Sequence, residues 1–171
     1  MRVSSADSCA FILRLVLGAV MLAHGWNHLF GSGGVEGTAR WFGSMGLRPP
    51  RLHAWASGLT ELGAGLCLLL GVLTSLQCAA VVGVMTVALV TAHRTNGFFV
   101  FRPGQGWEYV AVLGATSVAL AILGPGSASV DDRIELAAKL DGGVGAALAG
   151  GLGVGAAGVL LAACWRPSRE A

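Results

Sequence analysis

Two histidines stand one helical turn apart, at His24 and His28, and Glu61, His93 and Glu108 follow along the chain. Imidazole and carboxylate together allow three kinds of chemistry. They can bind a metal such as iron or zinc. They can hold a small redox ligand and pass protons to it, because imidazole titrates near neutrality. They can also form buried hydrogen bonds that pin helices. The metal reading rests on His24, His28 and Glu61, with His93 or Glu108 to complete the set. It lacks the Glu-x-x-His pairs with which helix bundles build di-iron sites. The proton-handling reading takes His24, His28, Glu61, His93 and Glu108 as one polar cluster around a quinone or lipid head group. Glu61, His24 and His93 are its candidate catalytic groups.

These side chains sit in a chain built for lipid. Apolar residues make up 54% and charged residues 12%, a balance that belongs to membrane proteins. Five stretches come close to the about 20 residues needed to cross about 30 Å of hydrocarbon: 9–30, 52–72, 75–93, 107–124 and 142–164. Arg14 interrupts the first stretch, and no small-x-small site precedes the His24–His28 segment, so the stretch reads as a retained span. A net charge of +2 with no Lys/Arg tract gives no footing for nucleic acid. A charged group at the centre of a span costs roughly 2.5–3.5 kcal/mol on insertion scales, so such groups face a bundle interior.

Chain direction decides which groups can meet. The end of span one, the start of span two, the end of span three and the start of span four share one membrane face, here face A. The five candidates therefore fall in one half of the bilayer. Arg14, Met21, His24 and His28 follow one helical stripe. Gly58 and Gly65 flank Glu61 on its own helix, which points the carboxylate inward. Glu61 is expected to hydrogen-bond a histidine, with His24 and His93 as the reachable partners. Arg14 lies near the opposite face, B, where Asp131 or Asp132 is the expected salt-bridge partner. Face A carries seven arginines (Arg40, Arg48, Arg51, Arg94, Arg102, Arg166 and Arg169) against Arg2, Arg133 and Lys139 at face B. The positive-inside rule then puts face A in the cytoplasm.

The connections are of different kinds. Val72–Ser75 makes spans two and three a tight hairpin. Between spans one and two, Thr38 is placed to cap a short interfacial helix carrying Trp41, Phe42 and Met45, ended by Pro49-Pro50. Phe98, Phe99 and Phe101 beside Arg102 give the next loop an interfacial composition, and Asp131–Lys139 reads as a solvated amphipathic stretch. The four cysteines form no C-x-x-C motif; Cys67 and Cys78 flank the hairpin and read as small core residues. Span five is rich in glycine, and Gly151-x-x-x-Gly155 is the small-residue pattern of packed membrane helices.

In order and spacing, the motifs Arg14-Leu-x-Leu-Gly18, His24-Gly25-x-x-His28-Leu29-Phe30-Gly31, Gly37-Thr38-Ala39-x-x-Phe42 and Gly46-Leu47 with Pro49-Pro50 resemble the DoxX family of small bacterial membrane proteins. The resemblance continues through Glu61-Leu-Gly-x-Gly65, Met85, His93, Gly97-Phe98-Phe99, Glu108 and Gly124-Pro125-Gly126, over residues 11–132. Lys often occupies the position of His28 in that family. The resemblance implies an all-α, polytopic membrane protein: a four-helix transmembrane bundle over 1–132, with 133–171 supplying a linker and one additional Gly-rich C-terminal transmembrane helix. Relatives include the small subunit of an archaeal thiosulfate:quinone oxidoreductase. In mycobacteria, the family is associated with a membrane oxidoreductase complex that contains a sulfurtransferase and a superoxide dismutase.

The function this implies is a non-autonomous membrane subunit of a redox or thiol-homeostasis complex, quinone-linked, in a bacterial plasma membrane. The alternative is an assembly scaffold of a larger membrane complex with no chemistry of its own. A transporter fits less well, since inverted repeats with broken helices are absent from the sequence pattern. With 27 glycines and a single lysine, the composition also suits an actinobacterial source.

Overall fold

The computed structural model describes residues 4–167; Arg2 and Arg169 of the charge comparison lie outside it. The chain is helical throughout its spans: α1 (Ser5–Phe30), α2 (Gly34–Ser44), α3 (Pro50–Leu70), α4 (Thr74–Ala88, prolonged by the π-turn Leu89–His93) and α5 (Glu108–Leu123) come first. Two short helices, α6 (Val130–Arg133) and α7 (Ala137–Leu140), lead to a last span of α8 (Gly142–Ala146), the π-turn Ala147–Leu152 and α9 (Gly153–Cys164). Ser5–Phe30, Thr74–His93 and Gly142–Cys164 are long and apolar enough to cross a membrane, and Glu108–Leu123 is a shorter apolar helix. The outer faces suit lipid. Ile12, Val16, Leu59, Leu66, Val112, Val154 and Val159 are each more than half exposed. Such a surface marks contact with another apolar phase.

Local chemistry sets the helix ends. Ser4 and Asp7 form a capping box at the start of α1, satisfying two free N–H groups. Pro50 opens α3, where its missing N–H costs nothing. Gly71 ends α3 with φ 67°, a conformation that suits glycine. Leu73 follows at φ 49°, an uncommon angle for a residue with a side chain. The Asp131 carboxylate holds this turn by accepting the N–H groups of Leu73 and Thr74 at 2.7 and 2.8 Å. The short interfacial helix begins earlier than Thr38, at a Gly33 cap. The Thr38 hydroxyl instead donates to the His28 carbonyl at 2.8 Å and ties α2 to α1.

Glycine sets the spacing of the antiparallel pair α1 and α3. A Cβ on Gly18 would stand 2.9 Å from the Gly65 carbonyl oxygen, and one on Gly25 would stand 2.8 Å from that of Gly58. The two backbones therefore touch directly, as small residues permit in membranes. Glycine beside Glu61 thus makes room for α1 itself. α4 packs with α5, and α3 and α1 close the bundle against them. Leu17, Met21, Leu68, Cys78, Val81, Leu113 and Leu120 fill its centre. The cysteines are free.

The last span lies outside this bundle against α4 and α5. Gly151 and Gly155 do not make the contact, since a Cβ on either would meet nothing within 4 Å. The inward residues are Gly145, Ala149, Gly153 and Ala157, all buried. The inward residues recur at every fourth position, so Gly151 and Gly155, two positions off that stripe, fall on the far side of the helix.

Candidate functional site

The register of α1 on α3 decides which histidine reaches Glu61. With Gly25 opposite Gly58 and Gly18 opposite Gly65, His24 lies nearly level with Glu61, while His28 sits six residues, about 9 Å, nearer face A. Level alone favours His24. However, Cα–Cβ bonds lean toward the start of their own helix. His28 on α1 therefore leans away from face A, and Glu61 on α3 leans toward it. The two side chains meet: His28 Nδ1 stands 2.8 Å from Glu61 Oε2, with the carboxylate buried. The partner of Glu61 is thus neither His24 nor His93.

The approach is close but oblique. Oε2 has no partner in hydrogen-bond alignment, so His28 faces it off the line of the ring N–H. Ser57, one turn earlier on α3, donates to Oε1 at 3.2 Å and lies 3.5 Å from His28 Nδ1. Phe42 meets the imidazole edge-on with centroids 5.7 Å apart, and Trp41 lies at 6.3 Å. The result is a carboxylate, an imidazole and a hydroxyl under an aromatic cover, an arrangement that can share and pass a proton.

The other candidates surround the same space without joining the pair. His24 turns toward α5, where its ring stacks on Tyr109 and its Nε2 lies 3.4 Å from the Tyr109 hydroxyl. His93 donates from Nδ1 to the Gln105 carbonyl at 2.8 Å, which fixes its tautomer when neutral and leaves Nε2 as the acceptor. Glu108 is half-buried and lies outside the cavity wall, and its neighbour Tyr109 takes that position instead. A cavity of about 630 Å³ is lined by His24, His28, Glu61, His93, Ser57 and Tyr109, together with His53. A second cavity of about 480 Å³ shares Trp41, Met45 and His93 with it at face A.

Ser57, His53 and Tyr109 were not among the sequence candidates. Ser57 had a usable signal, being four residues before Glu61 on the same helix face. Tyr109 had none, because adjacent helical residues point in different directions. His24, His28 and Glu61 are not gathered as three ligands, and among the described residues no group of three or more His, Cys, Asp or Glu is placed to hold an ion. His24 is the ligand that turns away.

Arg14 and Asp131 meet at face B in another manner. Arg14 is buried and donates from Nη2 to the Ala128 carbonyl at 2.7 Å. Asp131 is near enough to act on its charge, but no Arg14–Asp131 or Arg14–Asp132 ion pair forms within the described residues. Both Asp131 oxygens are taken by the backbone of the α3–α4 turn, so the loop stands between acid and base.

Among known proteins, the family model described as DoxX matches residues 9–94, which covers α1 to α4 with the His28–Glu61 pair. No curated protein and no solved structure matches the chain.

Proposed function

This chain belongs to the DoxX family of membrane proteins, a family often linked to redox or thiol-related functions, and on that premise we propose that it is a membrane subunit of a redox or thiol-homeostasis complex. Its site would be quinone-linked, and it would act in a bacterial plasma membrane with face A toward the cytoplasm. The observation that carries this reading is the buried Glu61 beside His28, opening onto a cavity large enough for a small molecule. A cavity of some hundreds of Å³ with a few convergent polar groups is the usual form of a ligand site. Reduction of a quinone takes up two protons with two electrons. The electrons would come from a partner subunit carrying the donor. His28 and Glu61 would pass both protons in turn, each replaced from the water at face A, while Ser57 keeps Oε1 oriented.

A scaffold without chemistry is the second reading, favoured by the same pair in another respect: it joins α1 to α3. Glu61→Gln separates the two, because it preserves shape and hydrogen bonding but removes the titratable group. In the native complex, purified with its lipid and partners, Glu61→Gln should leave assembly intact and abolish quinone reduction or quinone retention. A silent Glu61→Gln, with a Glu61→Leu variant that falls apart, would establish the scaffold instead.

A further inference from the structure

α3 and α4 leave a shared tight turn at face B, yet by face A the cavity stands between them. The last span packs on α4 rather than on α3. α4 therefore forms the floor of a groove, with α3 as one wall and α9 as the other. Ala56 and Thr60 on α3, Ala80 and Gly83 on α4, Leu152 at the end of the π-turn and Ala156 on α9 line this part of the cavity. Ala56, Thr60, Leu152 and Ala156 are exposed on the flank that meets lipid. The lining is continuous with the part that holds Glu61 and His28. At face A the space is covered by Trp41 and Phe42 of α2 and by Met45 just after it. That cover is stitched to α9: Arg48 N–H donates to the Cys164 carbonyl at 2.9 Å, Arg166 N–H to that of Gly46 at 2.8 Å, and Trp165 Nε1–H to that of Met45 at 2.9 Å.

We propose that this groove is a lateral portal through which an isoprenoid quinone keeps its tail in the bilayer while its carbonyl head occupies the cavity, with α9 as one side of the opening. The proposal rests on the quinone-linked reading above and adds the route and the role of the fifth span. The walls select the ligand. Among the described residues no lysine or arginine lines the cavity, so a phosphate head would be desolvated beside Glu61 with no such cation to meet it. A neutral carbonyl ring is suited to the donors present, the Tyr109 hydroxyl and the imidazoles. The groove is apolar and lined mainly by small side chains, which fits a chain leaving sideways.

The test uses the full-length protein in lipid nanodiscs, with menaquinone and its tail-less counterpart menadione as probes and Trp fluorescence quenching as the readout. Ala156→Trp and, on the opposite wall, Thr60→Trp should each weaken menaquinone by about tenfold or more, as overfilling a packed space does. Menadione should bind these variants as it binds the wild type. Val159→Trp, on the lipid-facing side of α9, should change neither. If both wall variants bind menaquinone normally, or lose both probes alike while remaining folded, the portal is wrong and the quinone reading stands. If the wild type binds neither probe, the quinone reading itself falls and the portal with it.

Discussion

The two halves of the membrane domain use the same side-chain chemistry to opposite ends. At face B a buried acid, Asp131, is locked by backbone, while Arg14 beside it donates once, from Nη2 to the Ala128 carbonyl. Asp131 accepts two N–H groups of the α3–α4 turn, and its own N–H donates to the Gly71 carbonyl at 2.9 Å. At face A a buried acid, Glu61, has one aligned donor, Ser57, and an oblique neighbour, His28, with a cavity alongside. A carboxylate with both oxygens held by aligned donors is a fastener. One with a lone pair turned to an open space remains available for a ligand or a proton. Burial and charge alone do not tell the two apart; the count and alignment of hydrogen bonds do.

This contrast can be broken most easily at face B. Asp131→Ala removes two N-terminal acceptors from α4 and leaves Arg14 buried without its nearest counter-charge. The expected loss is about 3 kcal/mol, as for two hydrogen bonds to a charged group, read as thermal unfolding in detergent. A variant as stable as the parent would show that face B is no fastener. Next in size is Gly25→Leu, which should cost about 1–3 kcal/mol by wedging α1 from α3 and so separating His28 from Glu61. Gly63→Leu is its control, since a Cβ at Gly63 meets nothing within 4 Å. Equal effects at the two positions would refute the glycine register.

Trp165→Phe removes one hydrogen bond from the stitch between α9 and the α2–α3 loop. It should cost about 1 kcal/mol, with faster protease cleavage near Met45 as the accompanying sign. No change in cleavage would mean the stitch does not hold the cover down. The smallest expected effect on stability is Glu61→Gln, under about 1 kcal/mol, in keeping with single hydrogen bonds between membrane helices. If that variant unfolded while Asp131→Ala did not, the roles assigned to the two faces would be exchanged.

The spans were legible because hydrocarbon imposes length and composition directly on the chain. The stretches read over 52–72 and 142–164 lie within two residues of the helices Pro50–Leu70 and Gly142–Cys164, of which only the second is apolar enough by length and composition to count as a crossing helix. The interior placement of Glu61 was legible for the same reason, since a carboxylate ten residues into a span is costly in lipid and glycines shared its face. Which histidine it would meet was not legible. That depended on the α1–α3 register and on the lean of each Cα–Cβ bond, and spacing along one helix carries neither.

The packing face of span five was hidden in the same way, because a segment rich in glycine and alanine offers several stripes of small residues and nothing in its own spacing marks the one that meets α4. Arg14 and Asp131 were brought to one face by chain direction. Only the fold decided that the turn backbone, rather than the arginine, would occupy the carboxylate. The sequence by itself determined that this is a helical membrane protein with buried acids and bases near both faces, because transfer energies are summed residue by residue. The tertiary structure alone decided which of those groups is fastened and which is left facing a cavity, because hydrogen-bond alignment depends on the distance and angle between helices far apart in the chain.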